Sequence, residues 1–146
     1  MMAAAVRRWR RRAFLATLGG GWTSYGFLGV LGDPRYGASR GLDVVTERVP
    51  MSVLGTVWVV CGCLAVVAAL SPRLHGLQAA GFTALATPAA LWGTAFLVAT
   101  VSGSYPRGGG GACGWLAFAV SIVWVSGMDD PPAAGREKVR SWTSER

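Results

Sequence analysis

The side chains best suited to metal or redox chemistry are three cysteines, two of which are separated by a single residue. Cys61 and Cys63 lie in one apolar segment, and Cys113 lies at the start of another. A structural zinc site needs four ligands, and the sequence offers no third or fourth ligand near this pair. An odd number of cysteines in apolar segments does not indicate a disulfide framework. We therefore expect small packing residues here, with no metal and no cofactor.

Other motifs that carry chemistry are also missing from the sequence. The glycine run Gly108–Gly111 is not followed by the Lys-Ser/Thr pair of a phosphate-binding loop, and we expect a flexible turn there. The sequence has neither the paired carboxylates nor the Ser/His/Asp set that would suggest a hydrolytic site. The sequence therefore predicts no catalytic residues, and we expect a protein that is not an enzyme.

Four long apolar segments contain no charged side chain at all. Helices of soluble proteins usually keep a charged outer face, whereas each of these segments approaches the ~20 residues that span a bilayer core. The sequence predicts an all-α fold, a four-helix transmembrane bundle, with residues 1–128 forming one membrane domain and 129–146 a cytoplasmic tail. The predicted spans are 13–31, 51–70, 77–101 and 112–128.

An arginine cluster immediately precedes the first apolar segment. A basic cluster in this position usually anchors a membrane protein on anionic lipid headgroups, so we interpret the net charge of +7 as lipid contact and expect no nucleic acid partner. Arg11-Arg12-Ala13-Phe14-Leu15 also resembles a twin-arginine export signal. Because no clear cleavage site follows, we favour a role for these arginines in fixing the orientation of the first span in the membrane. The cluster comprises Arg7, Arg8, Arg10, Arg11 and Arg12.

The distribution of basic residues favours two cytoplasmic termini. With four spans, the side that holds both termini carries ten of the fourteen Lys and Arg residues, and basic residues are enriched on the cytoplasmic side of membrane proteins. The opposite side carries Arg35, Arg40, Arg48 and Arg107.

Spacing within the apolar segments suggests how the helices pack. Ala16, Gly20 and Ser24 recur every four residues, a small-residue pattern that permits close approach of membrane helices. Pro88 predicts a kink in the third segment. We expect Trp22 and Trp92 to fill volume between helices, and Trp115, with Trp9, to lie at a membrane interface.

The chain resembles small, mostly uncharacterised four-span membrane proteins of actinobacterial phages and prophages. The resemblance is carried by Arg40-Gly41-Leu42, Val49-Pro50, the segments 54–58 and 89–92, Val125-Ser126-Gly127-Met128 and Asp130-Pro131-Pro132. A single Lys among thirteen Arg, and no Asn, fit a G+C-rich genome.

The resemblance implies a phage-related accessory protein in the host's cytoplasmic membrane. The alternative is a holin-like lysis protein that permeabilises the membrane. A transporter subunit is less favoured, because ion and proton pathways usually use ionisable residues within the membrane. The residues leave open whether the protein associates with itself or with other membrane proteins.

Overall fold

The computed structural model describes residues 2–33, 40–71 and 74–127. In this part of the chain the secondary structure is helical, without strands. Turns of 3-10 helix at Arg40–Leu42 and Pro106–Gly108 precede the second and fifth α-helices. The α-helices are α1 Met2–Ser24, α2 Asp43–Thr46, α3 Met51–Leu70, α4 His75–Val101 and α5 Gly109–Gly127. The predicted tail, 129–146, lies outside the described residues.

Three stretches of helix in the described residues are long and apolar enough to cross a membrane: Met51–Leu70, Gly76–Val101 and Pro106–Gly127. α3 covers the same residues as the second predicted span, 51–70. The third helix begins slightly earlier than predicted, at His75, and the fourth begins at Gly109 and ends at Gly127.

The first predicted span, 13–31, has a different structure from the other three. α1 begins at Met2, so its first half carries the arginine cluster, and it remains α-helical only to Ser24. The chain then continues as a π-helix over Tyr25–Val30. The apolar part is helical throughout, but the arginines and the change of helix type separate it from the three uniform apolar helices.

The glycine run at 108–111 is not the flexible turn that the sequence suggests. Gly108 ends the 3-10 turn, and Gly109 begins α5. Gly108 is buried against Thr100, and Gly111 packs on the ring of Phe96. Contacts with α4 thus outweigh the poor helix propensity of glycine.

Each pair of neighbouring long helices meets where a glycine removes a side chain. A Cβ added to Gly19 of α1 would lie 2.7 Å from the carbonyl oxygen of Gly62 in α3. Gly81 of α4 approaches Ala68 of α3 equally closely, and Gly93 of α4 does the same to Leu116 of α5. The helices pack in the order α1, α3, α4, α5.

The prediction that Ala16, Gly20 and Ser24 form the packing face of α1 is wrong within the monomer. A Cβ added to Gly20 would meet nothing within 4 Å, and both Ala16 and Ser24 are exposed. The helix is rotated by one residue relative to the predicted face, because Leu15, Gly19 and Trp22 are the residues buried against α3 and α4.

The outer surface of the bundle is apolar. Large side chains such as Val60, Val101 and Trp124 are 58%, 81% and 72% exposed, and α3, α4 and α5 show little distinction between apolar and polar faces. Hydroxyl groups on these helices donate to carbonyl oxygens one turn earlier, as Thr56 does to Ser52 and Ser121 to Ala117. Such a surface suits lipid, where polar groups need internal partners.

The loop before α3 contains a short helix, α2. That helix is accompanied by the buried side chain of Leu42, and Gly41 lies against the ring of Phe96. This part of the loop therefore packs on α4 and becomes part of the folded unit.

Candidate functional site

Two arginines of the predicted headgroup anchor bind the ends of other helices. The Arg12 side chain donates through Nε to the carbonyl oxygen of Ala69, 2.8 Å away in the last turn of α3. Arg11 donates through Nη2 to the carbonyl oxygen of Ser126, 3.2 Å away in the last turn of α5. Helix C-termini carry partial negative charge and unsatisfied carbonyls, so both contacts stabilise the bundle where the helices end.

These hydrogen bonds also establish which helix ends lie together. We call one end of the molecule the arginine end. It contains the start of the apolar part of α1 and the C-termini of α3 and α5. The N-terminus of α4 also lies there, because only a short connection follows Leu70. Arg10 and Trp9 are exposed at this end. The side chains of Arg7 and Arg8 lie outside the described part of the structure.

A groove opens beside Arg11 and runs along one face of α4. Its volume is about 470 Å³, and its polar end is formed by Arg11, Gln78 and Ser126. The Arg11 guanidinium lies over the ring of Phe82, 5.2 Å from the ring centroid, in cation–π geometry. The floor continues along α4 through Ala79, Phe82, Thr83, Ala86, Thr87 and Ala90, and Val123 of α5 forms a wall.

The other notable constellation is a cluster of aromatic rings at the centre of the bundle. Trp58 of α3 lies between Trp22 and Trp92, with ring centroids 5.0 and 5.2 Å away, and Tyr25 and Trp115 complete the cluster. Most pairs adopt edge-to-face geometry, which aromatic quadrupoles favour. Trp58 and Trp92 are essentially inaccessible, so four helices share one aromatic core.

The prediction that Trp22 and Trp92 fill volume between helices is confirmed. The expected interfacial position of Trp115 is wrong, because its ring packs against Trp58 and Trp22. Trp115 lies within a turn of the buried Ala112 and Ala119 on α5. The proximity of Trp115 to the predicted end of its span suggested an interface, whereas the helix begins earlier and carries Trp115 inward.

Trp22 also provides a hydrogen bond beside the proline of α4. Its indole N–H donates to the carbonyl oxygen of Leu85 at 3.0 Å, in the turn that precedes Pro88. Proline weakens the backbone bonding of that turn. The hydroxyl of the neighbouring Thr87 donates to the carbonyl oxygen of Thr83. The indole nitrogens of Trp58 and Trp92 are buried without a hydrogen-bond partner in the described structure. The two rings pack edge-to-face against each other.

The cysteines do not form a cluster. Cys63 is exposed and its sulfur lies 3.8 Å from the hydroxyl oxygen of Thr23, whereas Cys61 is half-buried and Cys113 is exposed on α5. Across residues 2–33, 40–71 and 74–127, no three His, Cys, Asp or Glu side chains lie close enough together to hold a metal ion.

Arg11-Arg12-Ala13-Phe14-Leu15, considered above as an export signal, is incorporated into the folded bundle. Leu15 is completely buried and the Phe14 ring stacks on Phe82 at 6.0 Å. The groove beside this segment was not predicted. The sequence feature that could have indicated the groove is the spacing of Ala79, Ala86 and Ala90, which places small side chains along α4 next to a cationic helix.

Comparison with known proteins adds no relative: no protein-family model, curated protein or solved structure matches the chain.

Proposed function

We propose that the chain is an integral membrane protein of a bacterial cytoplasmic membrane, with four passes and both termini in the cytoplasm. Three apolar helices support the membrane location. For the first pass, residues 13–30 extend up to about 27 Å at 1.5 Å per residue, close to the ~30 Å of a hydrocarbon core. The arginine end then faces the cytoplasm, where basic residues are favoured.

Within that membrane we propose a non-enzymatic accessory role. The observation that carries this proposal is the aromatic cluster, because it fills the space between the helices through which a pore or substrate path within a single bundle would run. Trp58 is completely buried among rings contributed by the other three long helices. The link to phages and prophages depends on the sequence resemblance alone and remains a prediction.

The holin-like alternative makes a different prediction about the membrane. A holin must open lesions that collapse the membrane potential, and the closed aromatic centre would have to separate for such a lesion to pass through a single bundle. An accessory protein leaves the potential intact at modest expression. A transport path within a single bundle would likewise have to cross this centre.

Co-expression with a cytoplasmic endolysin distinguishes the two roles. We expect culture density and a potential-sensitive dye to follow those of an unrelated membrane protein expressed at the same level. A sharp, timed fall in both signals, absent from that control, would overturn the accessory role and establish membrane permeabilisation.

A further inference from the structure

The groove beside Arg11 combines a cationic end with an apolar floor. Arg11 is oriented at its mouth by the hydrogen bond to the Ser126 carbonyl and by the Phe82 ring. Gln78, in the first turn of α4, adds an amide at the same end. The positive dipole of the α4 N-terminus opposes the negative dipole of the α5 C-terminus at this end, so the charge of Arg11 is what favours an anion there.

The dimensions of the groove match one leaflet of a bilayer. Its floor extends along α4 from Gln78 to Ala90, which corresponds to about 18 Å at 1.5 Å per residue. Half of a hydrocarbon core is about 15 Å thick. The methyl side chains of Ala79, Ala86 and Ala90 leave room where larger residues would close the space.

We propose that this groove binds an anionic phospholipid of the surrounding membrane. The phosphate lies at Arg11 and Gln78, and one acyl chain lies along Phe82, Ala86 and Ala90 against Val123. The charge of the arginine end selects the anionic headgroup, and the apolar floor requires a chain that a free phosphate lacks. The site depends on the proposed membrane location, which reporter fusions test independently of lipid binding.

Native mass spectrometry of the full-length protein in detergent measures this binding. We expect one dioleoyl phosphatidylglycerol to bind at least tenfold more tightly than dioleoyl phosphatidylcholine. Arg11→Gln should weaken phosphatidylglycerol binding about tenfold, because a charge-assisted contact is lost. Arg10→Gln, at an exposed neighbouring arginine, should change it less than twofold.

A second pair of variants tests the acyl-chain path. Ala79→Leu adds bulk at an exposed position of the groove and should weaken phosphatidylglycerol binding about tenfold. Ala117→Phe, on the exposed face of α5, should leave binding unchanged. Circular dichroism melting of each variant checks that the bundle is intact, and because Ala79 is exposed its replacement need not disturb the core.

Three outcomes would overturn the proposal. Equal binding of the two lipids would indicate a non-selective lipid surface. An equal loss with Arg10→Gln and Arg11→Gln would indicate diffuse charge attraction in place of a defined site. Displacement of the lipid by millimolar glycerol 3-phosphate would identify a soluble phosphate as sufficient for recognition.

Discussion

Adjacent glycines on α1 occupy opposite environments, although their residue types are identical. Gly19 lies against the backbone of Gly62, whereas Gly20 has open space where a side chain would extend. Consecutive residues on a helix are about 100° apart, since an α-helix has 3.6 residues per turn. One close contact between α1 and α3 therefore depends on Gly19, and the neighbouring Gly20 is a natural control.

We expect Gly19→Ala to destabilise the bundle by about 1–3 kcal/mol, as overpacked sites usually do. The added methyl group would lie 2.7 Å from the Gly62 carbonyl oxygen and 3.0 Å from the Cβ of Ala65, so the two backbones must separate. Gly20→Ala should leave stability unchanged or slightly increased. Unfolding in mixed detergent micelles, followed by circular dichroism, measures both variants. Equal effects of the two substitutions would contradict this packing.

At the scale of helices, α1 joins the bundle through its arginines as well as through its apolar face. Arg12 donates to the end of α3, and Arg11 donates to the end of α5. α1 packs closely on α3 but reaches α5 through long side chains such as Arg11 and Trp22. The arginine contacts thus compensate for limited backbone packing at one edge of the bundle.

We expect Arg12→Gln to lower the free energy of unfolding by about 1–2 kcal/mol, because it removes a charged hydrogen bond at a helix C-terminus. The matched control is Arg10→Gln, since Arg10 is exposed and should tolerate the change. The same unfolding assay compares the two variants. If Arg10→Gln proved as destabilising as Arg12→Gln, the effect would come from general loss of charge and not from the Ala69 contact.

At the scale of the whole molecule, the number of membrane passes depends on the first helix. Three helices are apolar along their lengths, and α1 combines an arginine-rich half with an apolar half that becomes π-helical after Ser24. If this helix crosses, the termini lie on one side. If it does not cross, they lie on opposite sides.

Reporter fusions after residues 40, 74, 106 and 146 test the threading. Four passes with a cytoplasmic N-terminus predict outside, inside, outside and inside, because the basic residues concentrate at the arginine end. Paired reporters, one active in the cytoplasm and one outside it, give each position an internal control. Three passes from the same N-terminus would reverse all four readings, so a C-terminal reporter active outside the cytoplasm would contradict the four-pass proposal.

The helical content and the positions of the most apolar helices can be predicted from the residues alone. Residues 51–70 were predicted with the bounds of α3, because a long uncharged segment has few alternatives to a helix in lipid. The burial of Trp22 and Trp92 was also predictable, since large rings in the middle of such segments must pack somewhere. The seven-residue spacing of Gly19 in α1 and Gly26 in the following π-helix equals that of Gly55 and Gly62 in α3. Gly19 lies against Gly62 and Gly26 against Gly55, a pairing that is not apparent from the sequence.

Which helix faces meet cannot be predicted from the residues and depends on how the helices pack. The small-residue pattern at Gly20 and the contact at Gly19 differ by one residue, and the composition of the helix does not distinguish them. Helices that are apolar on all sides lack the polar face that orients a helix in a soluble protein. The same uncertainty applied to the arginines and to Trp115, whose partners lie on other helices. Packing selects these contacts, because shape complementarity between helices, and not hydrophobicity, distinguishes one apolar face from another.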